Sequence, residues 1–180
     1  RLTQLWYQQK FFDQAFSIKL GRFNQGEDFG SFPCDFQNLA LCGSQVGNWD
    51  GGTVYNWPIS QWAVSAKYQI NPELFAQVGV FEQNPSNLDN DNGFKLSGSG
   101  TQGMVLPVEL VWSPKVDGLP GEYRAGYYYS NANATDAYKD RNGQPAALSG
   151  EAYRSASSKH GVWLGVQQQL TSRASAHSRG

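Results

Sequence analysis

Apolar and polar residues alternate along several segments of the chain, with the period of two that is typical of β-strands. In the clearest segment, apolar residues occupy the even positions from Trp62 to Ile70, and small or polar residues occupy the odd positions. A strand with this pattern has one apolar face and one polar face. The same pattern, less regular in the first segment, predicts seven strands, at about residues 2–11, 16–22, 57–70, 75–82, 104–112, 121–130 and 161–170.

The connections between these predicted strands alternate between short and long. Short ones lie near residues 12–15, 71–73 and 113–120, and long ones cover residues 24–55, 83–103 and 131–159. Such long connections are uncommon inside compact soluble domains. In an up-and-down antiparallel sheet, every second connection emerges on the same side. The alternation therefore predicts tight turns at one end and long loops at the other, as in a transmembrane β-barrel with tilted strands.

The predicted fold class is all-β, an antiparallel up-and-down transmembrane barrel. Seven strands would form only a portion of it, because every backbone amide must pair in lipid and only a closed ring leaves no free edge. The alternative is a soluble sandwich or lipocalin-like barrel, in which the apolar face points inward and most connections are short. Trp57, Trp112 and Tyr129 lie near predicted strand ends, which favours the membrane barrel because aromatic residues gather at membrane interfaces.

Composition and charge narrow the class of function. The chain has 180 residues, a formal net charge of −1 and only 16% charged residues, so there is no electrostatic basis for binding nucleic acid or an anionic surface. Aromatic residues reach 14%, which is too many for an unfolded linker. No stretch approaches the roughly 20 apolar residues of a membrane-spanning helix. A role in the membrane would therefore depend on strands.

The two cysteines, Cys34 and Cys42, lie in the first long connection. We predict that they form a disulfide, which requires a compartment outside the cytosol. The alternative is that both are reduced thiols. Zinc is disfavoured because no His lies nearby in the sequence.

The sequence contains no clear catalytic or cofactor motif. His160 and His177 lie near or beyond the last predicted strand, in segments unlike a nucleophile elbow. The Gly-rich residues 97–103 lack the Lys of a phosphate-binding loop. Residues 89–93 resemble the start of a calcium loop, but Gly100 stands where the bidentate Glu is required. We therefore expect no enzyme activity, no cofactor and no metal.

If the apolar face points to lipid, the opposite face lines a water-filled lumen. Amides, charges of both signs and Trp on that face suit neutral hydroxyl-rich solutes, which need paired donors and acceptors and a flat apolar surface. The alternative is a general diffusion pore, whose lumen is polar only because it holds water. The residues that alternation places on this face are Lys19, Lys67, Gln69, Gln77, Glu109, Arg124, Trp163, Gln167 and Gln169.

Several segments resemble the carbohydrate-selective outer-membrane porin family OprB, in matching order and spacing over nearly the whole chain. The resemblance implies a sixteen-stranded barrel in the bacterial outer membrane, of which this chain would supply under half of the strands. It also implies passive uptake of glucose and similar sugars through a constriction narrowed by inward-folded loops. The segments are IKLGRF at 18–23, FPCDFQNLALCG at 32–43, NWPISQWA at 56–63, VFEQNP at 80–85, PVELVW at 107–112 and LPGEYRAGYY at 119–128.

The resemblance also implies a charged constriction, with loop-anchoring ion pairs as the alternative role for each charge. The partners of the protein would be small neutral sugars and outer-membrane lipid. A homotrimer of the full-length protein is a further expectation, since many porins are trimers. A soluble glycan-binding β-protein that uses Trp49 and Trp57 is the alternative class. The predicted substrate-binding set combines the charges of this constriction with two lumen residues, Lys67 and Trp163. Its members are Arg22, Glu27, Asp28, Lys67, Glu82, Glu109, Arg124 and Trp163.

Overall fold

The computed structural model describes residues 1–32 and 43–171 of the chain. Its main feature is one antiparallel sheet in which each strand pairs with the next long strand along the chain. Within the described residues the sheet is open, with its first and last strands at the edges. In order, its long strands are β1 (Leu5–Phe11), β2 (Phe16–Phe23), β5 (Gln61–Asn71), β6 (Leu74–Gln83), β7 (Gly103–Trp112), β9 (Leu119–Ser130) and β12 (Lys159–Gln168).

The remaining elements are short and belong to the connections. β3 (Ser31–Phe32) pairs with β4 (Gly43–Ser44), β8 (Lys115–Val116) pairs with β9, and β10 (Ala134–Asp140) pairs with β11 (Tyr153–Ala156). No helix within residues 1–32 and 43–171 has the length and apolarity needed to span a membrane. The helical pieces are α1 (Gln25–Asp28), α2 (Gln45–Trp49), α3 (Ala146–Ser149) and two 3₁₀ turns at Pro85–Leu88 and Asn90–Asn92.

Tight turns close one end of the sheet. Between β8 and β9, Asp117 and Gly118 both have positive φ values, 50° and 78°. This is the combination that a two-residue hairpin turn of type I′ requires, and Asp-Gly is among the sequences best suited to it. The connections at residues 12–15 and 72–73 lie at the same end, so the long connections all emerge at the other end.

Apolar side chains cover the outward face of the sheet and are exposed there. This confirms the expected orientation and contradicts the soluble sandwich, in which these residues would pack together in a dry interior. An exposed apolar surface of this size marks a contact with another apolar phase. The exposed fractions that decide the point are 51% for Val64, 42% for Val78, 41% for Val108 and 81% for Leu164.

The inner face of the sheet is covered by the described part of the first long connection, residues 24–32 and 43–55, which we call the inward segment. Phe29 from this segment packs edge-on against Phe81 of β6, with ring centroids 5.7 Å apart, and Phe23 packs against the same ring at 5.4 Å. Such pairs contribute about 0.5–1.5 kcal/mol each beyond the area that they bury. The buried cluster consists of Phe23, Phe29, Ala63, Phe81, Val105 and Tyr128.

Some boundaries differ from those that the alternation predicts. β5 begins at Gln61 rather than near residue 57, since Pro58 has no amide hydrogen to donate to a neighbouring strand. β1 begins at Leu5 rather than near residue 2, and the Leu2 amide bonds instead to the Gly93 carbonyl oxygen at 2.7 Å. The connection at residues 131–158 contains the hairpin of β10 and β11, whose strands do not alternate in polarity.

Candidate functional site

The inward segment begins with α1, and local hydrogen bonds place the acidic residues of this helix beside the sheet. The Asn24 side chain accepts a hydrogen bond from the Glu27 amide at 2.7 Å, which is an N-cap. The Gly26 amide bonds to the Tyr55 carbonyl oxygen at 3.1 Å, so both ends of the segment are joined. This arrangement directs Glu27 and Asp28 towards the inner faces of β1 and β2.

Asp28 forms an ion pair with Lys19 of β2. The Lys19 ammonium nitrogen lies 3.2 and 3.1 Å from the two carboxylate oxygens, and it also lies 4.2 Å from the centre of the Phe23 ring. Burial raises the pKa of the Asp28 carboxyl above its ordinary value, and the charge of Lys19 opposes this shift. The pair is therefore partly desolvated and holds α1 against the sheet wall.

Glu109 of β7 is the centre of a second group of contacts, which we call the Glu109 network. One carboxylate oxygen accepts from the Gly30 amide at 2.9 Å and from the Trp163 indole at 2.8 Å. The other accepts from Gln77 at 2.7 Å and from Arg124 at 3.2 Å. Four donors match the accepting capacity of a carboxylate. Because the side chain has 0% exposure, Glu109 fixes the inward segment to the wall and does not face the lumen.

Trp163 of β12 is part of this network, so its ring is not a free surface on which a sugar could stack. Its indole ring lies over Gly126 of β9, where a Cβ atom would come within 2.0 Å of the ring. The ring also packs against the buried aromatic cluster. Gly126 therefore provides the space that lets the indole nitrogen reach Glu109.

A cavity of about 340 Å³, which we call the open cavity, lies between the inward segment and the inner faces of β1, β2, β5 and β6. Lys67 lines it, with its ammonium nitrogen 3.5 Å from the centre of the Phe75 ring. Among residues 1–32 and 43–171, no carboxylate oxygen lies within 4.0 Å of that nitrogen. The lining residues are Trp6, Gln8, Ser17, Lys19, Glu27, Asp28, Ser31, Ser65, Lys67, Phe75, Gln77 and Arg124.

A second polar cavity, of about 600 Å³, adjoins the open cavity on the side of the tight turns. Gln8, Ser17 and Lys67 line both. Polar side chains therefore extend from the inward segment to the turns, along the inner faces of β1, β2 and β5. No three His, Asp or Glu side chains in the described part of the chain lie close enough together to hold a metal ion.

The far end of the inward segment has its own attachment. Asp50 follows α2, and its carboxylate accepts from the Tyr128 hydroxyl at 2.6 Å and lies 2.6 Å from the Lys159 ammonium. Tyr55 is buried, which raises its pKa to about 12, and its hydroxyl accepts from Gln83 at 3.2 Å. The described part of the inward segment is thus held by carboxylates at three points, Asp28 and Asp50 on the segment and Glu109 on the wall.

The structure brings six residues of the predicted substrate-binding set together and separates two. Glu27, Asp28, Lys67 and Arg124 line the open cavity, and Glu109 and Trp163 lie behind it in the Glu109 network. Arg22 and Glu82 lie on the outward face, in the row of the sheet that contains Trp62. Cys34 and Cys42 lie outside the described residues.

Sequence reasoning left some lining residues out of the set. The alternation places Lys19 and Gln77 on the lumen face, so the sequence contained the information needed to include them. Trp6 and Phe75 had none, because each follows directly after a leucine, Leu5 or Leu74, and the alternation is broken there.

Comparisons with known proteins agree with this geometry. The family model "Carbohydrate-selective porin, OprB family" matches residues 1–180. The chain is 62% identical to Porin B of Pseudomonas aeruginosa over 182 residues, and 41% identical to the putative porin QuiX of Acinetobacter baylyi over 186 residues. In each case the match includes 100% of this chain and 40% of the relative.

A solved structure is similar as well. The high-pH structure of Pseudomonas putida OprB superposes with a TM-score of 0.88 and 68% identity, over 95% of this chain and 41% of that one. The chain thus spans about two fifths of the length of the proteins that it matches. These findings confirm the resemblance and the fold class, an antiparallel portion of a porin barrel. The chain belongs to the OprB family of carbohydrate-selective porins, which are channels of the bacterial outer membrane.

Proposed function

We propose that the full-length protein that contains this chain is a passive channel for small neutral sugars, and that the open cavity is part of its constriction. The observation that carries this proposal is the contrast between the two faces of the sheet. The outward face is apolar and exposed, which suits lipid. The inner face is polar and carries a cavity bordered by donors, acceptors and aromatic rings.

The charges around the cavity favour a neutral solute. Lys19 is paired with Asp28, and Arg124 is paired with Glu109 and Glu122. Opposite charges in contact largely cancel each other's field at a distance. A sugar therefore meets many hydrogen-bonding groups, such as Lys67 and Gln8, on a described wall where two of the three cations are paired. Trp6 and Phe75 add apolar surface for the faces of the sugar ring.

Transport by this route needs no energy source and no cofactor, and no bond is made or broken. A sugar exchanges part of its hydration shell for contacts with the cavity and leaves towards the lower concentration. Binding must be weak for release to be fast, in the millimolar range or about −4 kcal/mol.

Liposome swelling with the full-length protein tests the proposal. We expect faster swelling in glucose than in a charged solute of equal size, and slower swelling in a trisaccharide. Vesicles without protein give the background rate. Equal rates for glucose and the charged solute would favour the alternative, a general diffusion pore without sugar selectivity.

A further inference from the structure

Two charged residues lie on the outward face, where the other side chains are mostly apolar. Arg22 of β2, Trp62 of β5, Glu82 of β6 and Met104 of β7 are aligned by the strand register in one row across the sheet. This row is at the end of the sheet where the long connections emerge. A charge facing lipid needs polar partners that the hydrocarbon cannot supply.

The connection between β6 and β7, residues 84–102, supplies those partners, and we call it the outward loop. The Arg22 guanidinium is buried, donating to the Lys95 carbonyl oxygen and to Asn87 at 3.4 Å, and also to the Ser60 carbonyl oxygen at 2.8 Å. The Trp62 indole donates to the Leu96 carbonyl oxygen at 2.9 Å. The backbone at residues 95–96 therefore lies directly against the outward row.

Glu82 is joined to the same loop by its neighbours. Its carboxylate accepts from the Thr101 hydroxyl and from the Asn84 amide, the latter at 2.9 Å. The Lys95 ammonium is held inside the loop, where it donates to Ser86 at 3.1 Å and to the Ser99 carbonyl oxygen at 2.7 Å. The polar side chains of Asn84, Lys95 and Thr101 are thus directed towards the sheet or towards other groups of the loop.

The apolar side chains of the loop remain exposed. Phe94 is 75% exposed and Leu96 is 50% exposed. The carbonyl oxygens of Lys95 and Leu96 contact Arg22 and Trp62, so this patch continues the apolar band that includes Trp62, Val64 and Met104. An apolar surface that borders a lipid-facing band is suited to acyl chains. The exposed charged side chains of the loop, Asp89 and Asp91, are acidic and therefore do not favour headgroup phosphates.

We propose that the outward loop is a membrane-interface anchor, in which Phe94 and Leu96 contact the acyl chains of outer-leaflet lipid while the loop backbone shields Arg22 and Glu82 from that lipid. This inference rests on the proposed function, because it requires the outward face to lie in a bilayer. The alternative occupant of the patch is a second protein chain, and the experiment below distinguishes the two.

Photo-crosslinking of the full-length protein in lipid vesicles tests the anchor. The photoreactive residue p-azidophenylalanine replaces Phe94, which it resembles in shape, and separate samples carry it at Tyr129 or Tyr138. Tyr129 lies on the outward face, and Tyr138 is exposed in the hairpin of β10 and β11. After irradiation, mass spectrometry measures lipid adducts at each position.

We expect the level of lipid adducts at position 94 to be comparable to the level at position 129. We expect no lipid adducts at position 138. Adducts at 129 with none at 94, or a crosslink from 94 to a second chain, would overturn the anchor and leave the channel proposal intact. An absence of adducts at position 129 as well would contradict the membrane placement on which both proposals depend.

Discussion

The inner face of the sheet has two regions that use the same types of side chain for different purposes. In the Glu109 network, the carboxylate accepts from four protein donors, and the group is buried. In the open cavity, Lys67 borders open space, and its ammonium lies over the Phe75 ring without a carboxylate partner among the described residues. The difference is one of burial rather than of residue type. A charge on the inner face can therefore contact a solute only where the inward segment leaves it uncovered.

Removal of Glu109 should give the largest effect on stability. Glu109→Ala leaves Arg124, the Trp163 indole and the Gly30 amide without their shared acceptor. Breaking a buried charge pair costs about 3–5 kcal/mol. Urea denaturation of the full-length protein in detergent, followed by Trp fluorescence, measures the loss. Glu151→Ala, at an exposed loop position, is the matched control and should change little. Equal stability of the two variants would show that the network is not a structural centre.

Asp50→Asn should have a smaller effect on stability and a clear effect on the channel. The variant weakens the bond from the Tyr128 hydroxyl and loses the ion pair with Lys159. Because this pair is partly exposed, we expect a loss of about 1 kcal/mol. The freed end of the inward segment should increase current fluctuations in single-channel recordings. Tyr128→Phe, which removes one of the two contacts, should give an intermediate record. A steady current from Asp50→Asn would argue against a positioning role for Asp50.

Lys67→Gln should leave stability unchanged and alter permeation. The substitution replaces a charged donor by a neutral one in the open cavity, a difference of about 1 kcal/mol in hydrogen-bond strength, or about fivefold in affinity for a solute. Swelling rates at low glucose concentration should therefore change several-fold. Lys115→Gln, in the exposed tight turn, is the control with the same chemistry. A matching change in both variants would mean that net charge, rather than position in the cavity, determines the rate.

These regions also show which features of the fold and the candidate site the sequence alone could predict. The period of two depends on backbone geometry, so it correctly placed Val64, Val108 and Leu164 outward. It likewise placed Lys67 and Glu109 on the inner face, but it could not show which would be covered, because the cover comes from a distant segment. The resemblance placed Arg22 and Glu82 in the constriction, whereas their parity in the strands assigns them to the outward face, as the structure has them.

The smallest expected effect concerns acid and the hairpin of β10 and β11, which lies away from both regions and so serves as an internal reference. Amide hydrogen bonds from Lys139 and Tyr138 lower the pKa of Asp136. A hydrogen bond from the Ser149 hydroxyl, and then amides that include Gln144 and Asn142, lower the pKa of Asp140. A carboxyl with a lowered folded-state pKa stabilises the fold above its unfolded pKa of about 3.9, and this contribution is lost as the pH falls through the lowered value.

Hydrogen exchange at pH 6 and at pH 2.5, corrected for intrinsic rates, measures this effect. Protection of the Tyr138, Lys139, Asn142 and Gln144 amides should decrease in acid, because each donates to a carboxylate that becomes protonated. The Ala66 and Val108 amides, within paired strands of the sheet, should keep their protection at both pH values. Asp140→Asn should reproduce the acid effect at pH 6 for Asn142 and Gln144 alone. If the strand amides lose protection together with the hairpin amides, the hairpin does not open independently, and the hairpin and the sheet respond to acid as one unit.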